Sequence, residues 1–364
     1  MPFMVDAHQD LAWNMLVFDR DYTRSAADTR RLEKNGSVVA HNGKTLLGRA
    51  EYLQGQVGLI FATLFVPPLR MKIGEWDKLS YQTAEEAHRL YRQQLDLYRR
   101  LVEEHPDHFE MIRNAPDLNL LLAKWQDSEN EPSPPTGLLM LMEGAEGIRS
   151  PEELEEWWEL GLRVIGPAWV GTRFCGGWRE PAPLTGEGRE LLAAMAEFNF
   201  IVDLSHMDEP AALESVDSYE GRLIASHSNA AALLPHSQSN RHLSDRLIRG
   251  IIERDGVIGI VPFNGYLQSG WRQRDGRAAI TLEHLVAQID HICQIAGDAR
   301  HVGIGSDFDG GFGVESVPSG IDTIADLQKL APLLAERGYT EPEIAAVFGE
   351  NFIRILKETL PAYD

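Results

Sequence analysis

Eight short apolar runs, each followed by helical or polar sequence, predict an α/β fold: a closed (β/α)8 barrel of parallel strands. Two observations carry that prediction. The runs lie at 4–7, 57–65, 137–142, 163–166, 200–203, 223–225, 257–261 and 301–305, and stretches of helical spacing separate most of them. Five of the runs also end in His, Asp or Glu, and in a barrel those ends share one mouth. An open doubly wound sheet is the alternative. No GxGxxG or GxxxxGK(S/T) stands after a strand to support nucleotide binding in it.

The elements follow in order. The first run, Phe3-Met4-Val5-Asp6-Ala7, leads into His8-Gln9-Asp10, and a strand puts positions two apart on one face. A short helix begins at Leu11. Residues 19–44 are polar, rich in Arg and Asp, and punctuated by Asn35-Gly36 and Asn42-Gly43, so they read as an inserted excursion. After the second run, Pro67-Pro68 end the strand, and 85–102 carry Leu90, Leu95, Tyr98 and Leu101 at helical spacing behind Thr83 and Glu86 as a capping box. A further helix covers 115–125, and 128–135 is a surface loop. From Gly137 onward strands alternate with helices at 151–160, 188–197, 209–215, 245–254 and 282–296. Thr340-Glu341-Pro342-Glu343 opens a last helix with a capping box and Pro in its first turn.

With 364 residues, 43% of them hydrophobic, the chain can bury a large core, and a single domain over 1–364 is expected. Asp plus Glu number 55 against 34 Lys plus Arg, a net charge of −21, which argues against binding nucleic acid. No run approaches the roughly twenty apolar residues of a membrane span, and no signal-like segment precedes the first strand. Cys175 and Cys293 are far apart and form no CxxC, so a reduced, cytoplasmic setting is expected.

The chemistry collects at the strand ends. His8 and Asp10 follow the first run, Glu143 the third, His206 the fifth, His227 the sixth and Asp307 the eighth. Each alone would read as a helix cap or a core polar group. Together, His8, Asp10, Glu143, His206 and His227 offer three imidazoles and two carboxylates. That is more than one catalytic zinc with an open position uses, and it suits two divalent ions sharing a carboxylate and a water. Ser205 and Ser226 precede histidines, but without GxSxG a serine hydrolase is disfavoured. His236, His284 and His291 sit in loop or helical contexts and read as surface or satisfied residues, and Trp157-Trp158 as packing.

These stretches resemble the membrane dipeptidase family (peptidase family M19) among the amidohydrolase-type barrels. The matching segments are Asp6-Ala7-His8-Gln9-Asp10, Met142-Glu143-Gly144, Leu160-Gly161-Leu162-Arg163, Val202-Asp203-Leu204-Ser205-His206, Ala225-Ser226-His227-Ser228, Ser239-Asn240-Arg241-His242, 301–310 with Gly305-Ser306-Asp307-Phe308-Asp309-Gly310, and Gly349-Glu350-Asn351-Phe352. The resemblance implies a zinc-dependent dipeptidase with two Zn²⁺ per chain. His8 and Asp10 would bind one ion, His206 and His227 the other, and Glu143 both. Arg241 would hold the substrate carboxylate, Asp307 would act as acid/base, and Asp309 would orient its loop. The expected partner is a small molecule, a dipeptide first and an N-acyl amino acid or related amide second, with a homodimer allowed. A metal-binding barrel without peptidase turnover is the rival from another class. One position departs from the family: the His expected after strand four is replaced by Trp169. An indole donates one hydrogen bond but does not titrate, so Trp169 is read as a pocket wall that changes substrate preference, with Thr172 or Arg173 as candidates for the missing contact.

Overall fold

The computed structural model describes residues 1–363 apart from 73 and 128–132. Its core strands are β1 (Met4–Gln9), β2 (Val57–Phe65), β3 (Thr136–Glu143), β4 (Leu162–Gly166), β5 (Ile201–Asp203), β6 (Leu223–Ile224), β7 (Ile258–Ile260) and β8 (Val302–Ile304). They lie side by side in chain order, all parallel, and β8 returns to pair with β1 at Asp6 and Ile304. Between β6 and β7 the ring closes on one parallel bridge, Ala225 to Ile258. The (β/α)8 barrel is therefore the one the apolar runs predict.

Every residue of β1, β2 and β3 is buried, as parallel strands require when one face fills a barrel and the other is roofed by helices. The closing seam depends on small residues. A Cβ on Gly259 or Gly305 would fall within 2 Å of the Ser226 carbonyl oxygen, so a larger side chain at either position would force the strands apart. The predicted helices form close to their expected bounds, among them Ala84–Glu104, Ala115–Gln126, Gly186–Glu197 and Leu282–Ala296. Thr83 Oγ1 accepts from Glu86 N–H, and Thr340 with Glu343 completes a capping box. Trp157 is buried and Trp158 packs on Phe200, as read.

Three features escape the periodicity. A short strand, Phe109–Met111, pairs beside β3. A hairpin of Cys175–Gly177 and Glu180–Leu184 stands between β4 and its helix; with Gly176, Gly177, Pro181 and Pro183 it has no apolar alternation to announce a strand. The 19–44 excursion is not an open loop: it folds into helices Ala26–Glu33 and Val38–Asn42, held from below by buried polar contacts. The expected surface loop at 128–135 falls mostly outside the described residues. Among the described residues no helix is long and apolar enough to cross a membrane, and both cysteines are buried and free.

Candidate metal centre

The C-terminal ends of the strands bring the predicted ligands together. Asp10 is the N-cap residue of helix Leu11–Phe18, yet its side chain makes no cap hydrogen bond. It is spent on the centre instead. Glu143 is the last residue of β3, and its two oxygens face different partners. Glu143 Oε1 lies 3.0 Å from His206 Nε2 and 3.4 Å from His227 Nε2, whereas Oε2 lies 3.8 Å from His8 Nε2. His8 Nε2 is also 3.8 Å from Asp10 Oδ2 and 3.9 Å from Asp307 Oδ1. His206 and His227 approach Nε2 to Nε2 at 2.9 Å. His206 and Asp307 both adopt left-handed backbone, at φ 67° and 55°, strain of a kind that collects where a side chain must be aimed.

These groups fit metal ions better than they fit each other. Tetrahedral zinc with bonds of about 2.0–2.1 Å places its ligand atoms roughly 3.3 Å apart, within the range of the spacings here. Both nitrogens of His8, Asp10 Oδ1, Glu143 Oε1 and His206 Nδ1 are buried without a hydrogen-bond partner, a costly state for the protein alone. Burial, with repulsion from Arg241 and His8, holds His206 and His227 well below the usual imidazole range, which leaves them neutral with lone pairs to give. For His8 burial works against the charge, but Glu143, Asp10 and Asp307 together outweigh it and push the ring up to about 10. Burial lifts Glu143 well above the carboxylate range against the pull of His8. Burial, aided by Asp10 and opposed by His8 and Arg241, pushes Asp307 up to about 8. Divalent charge at the centre reverses this logic, favouring the carboxylates as anions and the imidazole as a neutral ligand.

A second layer fixes the ligands. Ser226 Oγ donates to Asp203 Oδ2 at 2.5 Å and lies 2.8 Å from His227 Nδ1. A hydroxyl has one proton, so Ser226 accepts from His227 Nδ1–H, and the Nε2 lone pair is left facing the centre. The serines beside the histidines thus serve as supports, in keeping with the absence of a nucleophile elbow. Asp6, fully buried, accepts from Gln9 Nε2 and from both the backbone and the hydroxyl of Ser306, tying β1 to the Asp307 turn. Gly310 packs so closely on that turn that a Cβ would meet Asp307 Oδ1 at 2.0 Å.

Asp309 orients its loop through a larger network. Its carboxylate accepts from Tyr22 Oη at 3.0 Å, Thr45 Oγ1 at 2.5 Å and Leu46 N–H at 2.9 Å, and pairs with Arg20 Nη1 at 3.1 Å. Its carbonyl accepts from Asn14 and Asn42, both at 2.9 Å. Arg20, Tyr22 and Asn42 all belong to the 19–44 excursion, which is thereby fastened beneath the Asp307 turn.

A cavity of about 670 Å³ opens over the centre, reaching Asp10, Glu143, His206 and Asp307. Trp169 lines it, half-buried, edge-on to Phe65 with ring centroids 5.0 Å apart and 6.3 Å from the His206 ring. Thr172 and Arg173 are not on this wall; Thr172 Oγ1 donates to Pro167 O, and Arg173 pairs with Glu146. Arg241 lies behind the wall, 2% exposed, donating to Ser228 Oγ and to the carbonyl of His227 while its Nε has no partner. His284 and His291 are satisfied by Thr281 and Asp245 as expected. Sequence reading missed Trp178 and Arg179 at the hairpin tip, Tyr266 and Phe312 in turns, and Trp13 on helix Leu11–Phe18, all on the wall; turn residues give no periodic signal, and a helical aromatic reads as core. A second cavity, about 600 Å³ at the opposite end of the barrel beside Phe3 and Trp125, gathers no ligating cluster among the described residues.

A parallel barrel whose mouth presents neutral histidines and unpaired carboxylates, spaced for ions, is a metal-dependent hydrolase. More narrowly, the chain belongs to the membrane dipeptidase family, peptidase family M19, whose model matches residues 2–362. It is a peptide-bond hydrolase of the metallo-dipeptidase class. An uncharacterized dipeptidase of Schizosaccharomyces pombe is 28% identical over 98% of this chain and 80% of its own length. Dipeptidase tcpJ of Claviceps purpurea is 28% identical over 84% of this chain and 67% of its own. Among solved structures, a metallopeptidase from Rhodobacter sphaeroides, liganded with a phosphinate mimic of the dipeptide L-Ala-D-Ala, superposes with a TM-score of 0.78 at 25% identity, covering 98% of this chain and 99% of that one.

Proposed function

We propose that this chain hydrolyses dipeptides bearing a free C-terminal carboxylate, at a centre where His8, Asp10, Glu143, His206 and His227 would hold two zinc ions, with Glu143 shared between them. The observation that carries the reading is the division of Glu143, one oxygen toward His206 and His227 and the other toward His8. Zinc supplies Lewis acidity toward the scissile carbonyl and lowers the pKa of a water. Asp307, on the cavity wall beside His8, takes a proton and returns it to the leaving amine. Arg241, whose Nε–H has no partner among the described residues and whose guanidinium sits 5.5 Å from the ring centroid of the wall residue Tyr266, is the candidate donor to the substrate carboxylate. The Rhodobacter sphaeroides enzyme, holding a dipeptide mimic, supports this substrate class. The aromatic wall of Trp13, Phe65, Trp169 and Phe312 favours a second substrate group, N-acyl amino acids with bulky acyl parts. Two free buried thiols support a reducing, cytoplasmic setting.

Elemental analysis of zinc-loaded protein, paired with a panel of dipeptides, N-acyl amino acids and amidated dipeptides, tests the reading. About two zinc per chain and turnover of free-acid dipeptides over amidated ones are expected. A stoichiometry of one or less, or equal turnover of acid and amide, would overturn it.

A further inference from the structure

Beside the metal cavity lies a smaller one of about 320 Å³ that nothing above uses. The two share Trp178, Arg179 and Tyr266 as lining, so the annex adjoins the metal cavity with Arg179 on the wall of both. Its chemistry has one sign. In a chain of net charge −21, no Asp or Glu among the described residues lines this annex. Ser237, Gln238, Ser239, Ser269 and Arg179 do. Ser237 Oγ accepts from Ser239 N–H, and Ser239 Oγ from Arg241 N–H; both keep their own proton to donate. Ser269 Oγ and His242 Nδ1 are buried without any partner.

Arg179 is the decisive group. Three cationic residues line the metal cavity. Arg70 is neutralised by Glu180 and Lys72 by Glu75, whereas Arg179 pairs with no carboxylate among the described residues. It is held ready all the same. Its guanidinium lies 4.0 Å from the Trp178 ring centroid, and its backbone, at φ 64°, donates to Asn240 Oδ1 at 3.1 Å. Asn240 is pinned in turn to Gly177 O and Asp208. Stacking and backbone anchoring reduce the ordering cost of binding an anion through this residue.

We propose that the annex is a subsite for a carboxylate on the substrate's side chain, so that the preferred dipeptides contain an acidic residue. Arg179 and the serine hydroxyls hold that carboxylate, while Arg241 holds the main-chain one. The subsite rests on the dipeptidase reading, and the test separates the two. Phosphinate dipeptide mimics carrying Glu or Gln as the side chain, at either position, are titrated into zinc-loaded protein by calorimetry, and the matching dipeptides are assayed for turnover. At one position the wild type binds the Glu mimic about ten-fold tighter than the Gln mimic, as charge-assisted hydrogen bonds warrant. Arg179→Gln brings that ratio to two or less, Arg179→Lys retains part of it, and Arg179→Glu inverts it. Taking a ratio within each variant cancels any general loss of affinity. Equal affinity for Glu and Gln mimics at both positions, or a ratio that survives Arg179→Gln, overturns the subsite. Mimics that bind with the predicted ratio while no dipeptide is hydrolysed uphold the subsite and overturn the dipeptidase reading.

Discussion

Replacing Asp309 by Asn isolates what the 19–44 excursion does. The Asp309 and Arg20 side chains are both 0% exposed and 3.1 Å apart. Arg20 retains a second carboxylate, Glu33, at 2.9 Å, so the guanidinium is not left bare. Breaking one partner of a buried pair costs about 3–5 kcal/mol, and the surviving Glu33 contact puts the expected loss near the lower figure, about 3 kcal/mol. The Asn amide group would also face the hydroxyls of Tyr22 and Thr45 and the guanidinium, all of them donors to the carboxylate now. Against a folding free energy on the order of 5–15 kcal/mol, that is a large share, and in a chain of this length the melting temperature should fall by roughly 4 °C. The second readout is kinetic. Asp309 stands two residues beyond Asp307, so at 25 °C the folded variant should lose more in kcat than in KM. Glu33→Gln, which removes the other carboxylate, should lower stability while sparing kcat. An Asp309→Asn protein that melts within 2 °C of wild type with unchanged kcat would refute the idea that the excursion braces the Asp307 turn.

Three further outcomes are expected. Trp169→His should raise turnover of small dipeptides and weaken any preference for bulky groups beside the scissile amide; a variant that changes only in thermal stability would show that the indole acts through packing. Ser226→Ala removes the acceptor for His227 Nδ1–H and should weaken zinc affinity by about 10–100-fold, read by competition with a chelator; unchanged affinity would mean that Asp203 and Ser226 do not set the tautomer. For His242, burial, with Arg241 adding repulsion, pushes the ring down to about 3. The unfolded chain takes a proton near pH 6.5 that the folded chain refuses, so this residue's contribution is intact above pH 6.5 and is lost as pH falls from 6.5 toward 3. His242→Gln should therefore lose less stability than wild type across that window in denaturant melts, and parallel curves would contradict the shift.

The candidate cluster was legible because its members close apolar runs. His8, Glu143 and His227 stand where a strand stops, and a barrel turns five separate strand ends into one place. The same rule says nothing about depth. Arg241 comes from the predicted segment but sits behind the wall, anchored to Ser228 and the His227 carbonyl. Trp178 and Arg179 lie on a hairpin whose glycines and prolines hide it from any strand pattern. The annex they help form needs a loop some sixty positions later, and no local spacing reports such a meeting. The excursion was visible as polar sequence, but its purpose was not, since Arg20 and Asp309 are joined only by the closing of β8 onto β1.

That closure also sets the order in which the site can come into being. His8 and Asp10 precede Asp307 by about 300 positions in the chain, so they leave the ribosome well before it. At roughly 5–20 residues per second, on the order of 15–60 s separates them. Throughout that interval the nascent chain carries a partial ligand pair with no partner strand, since β1 lacks β8 until Asp6 can receive Ser306. A metal ion captured early would be held by two ligands and easily lost or exchanged. An ion held at this centre would therefore be chosen when the strands come together around it, and not while β1 stands alone with His8 and Asp10.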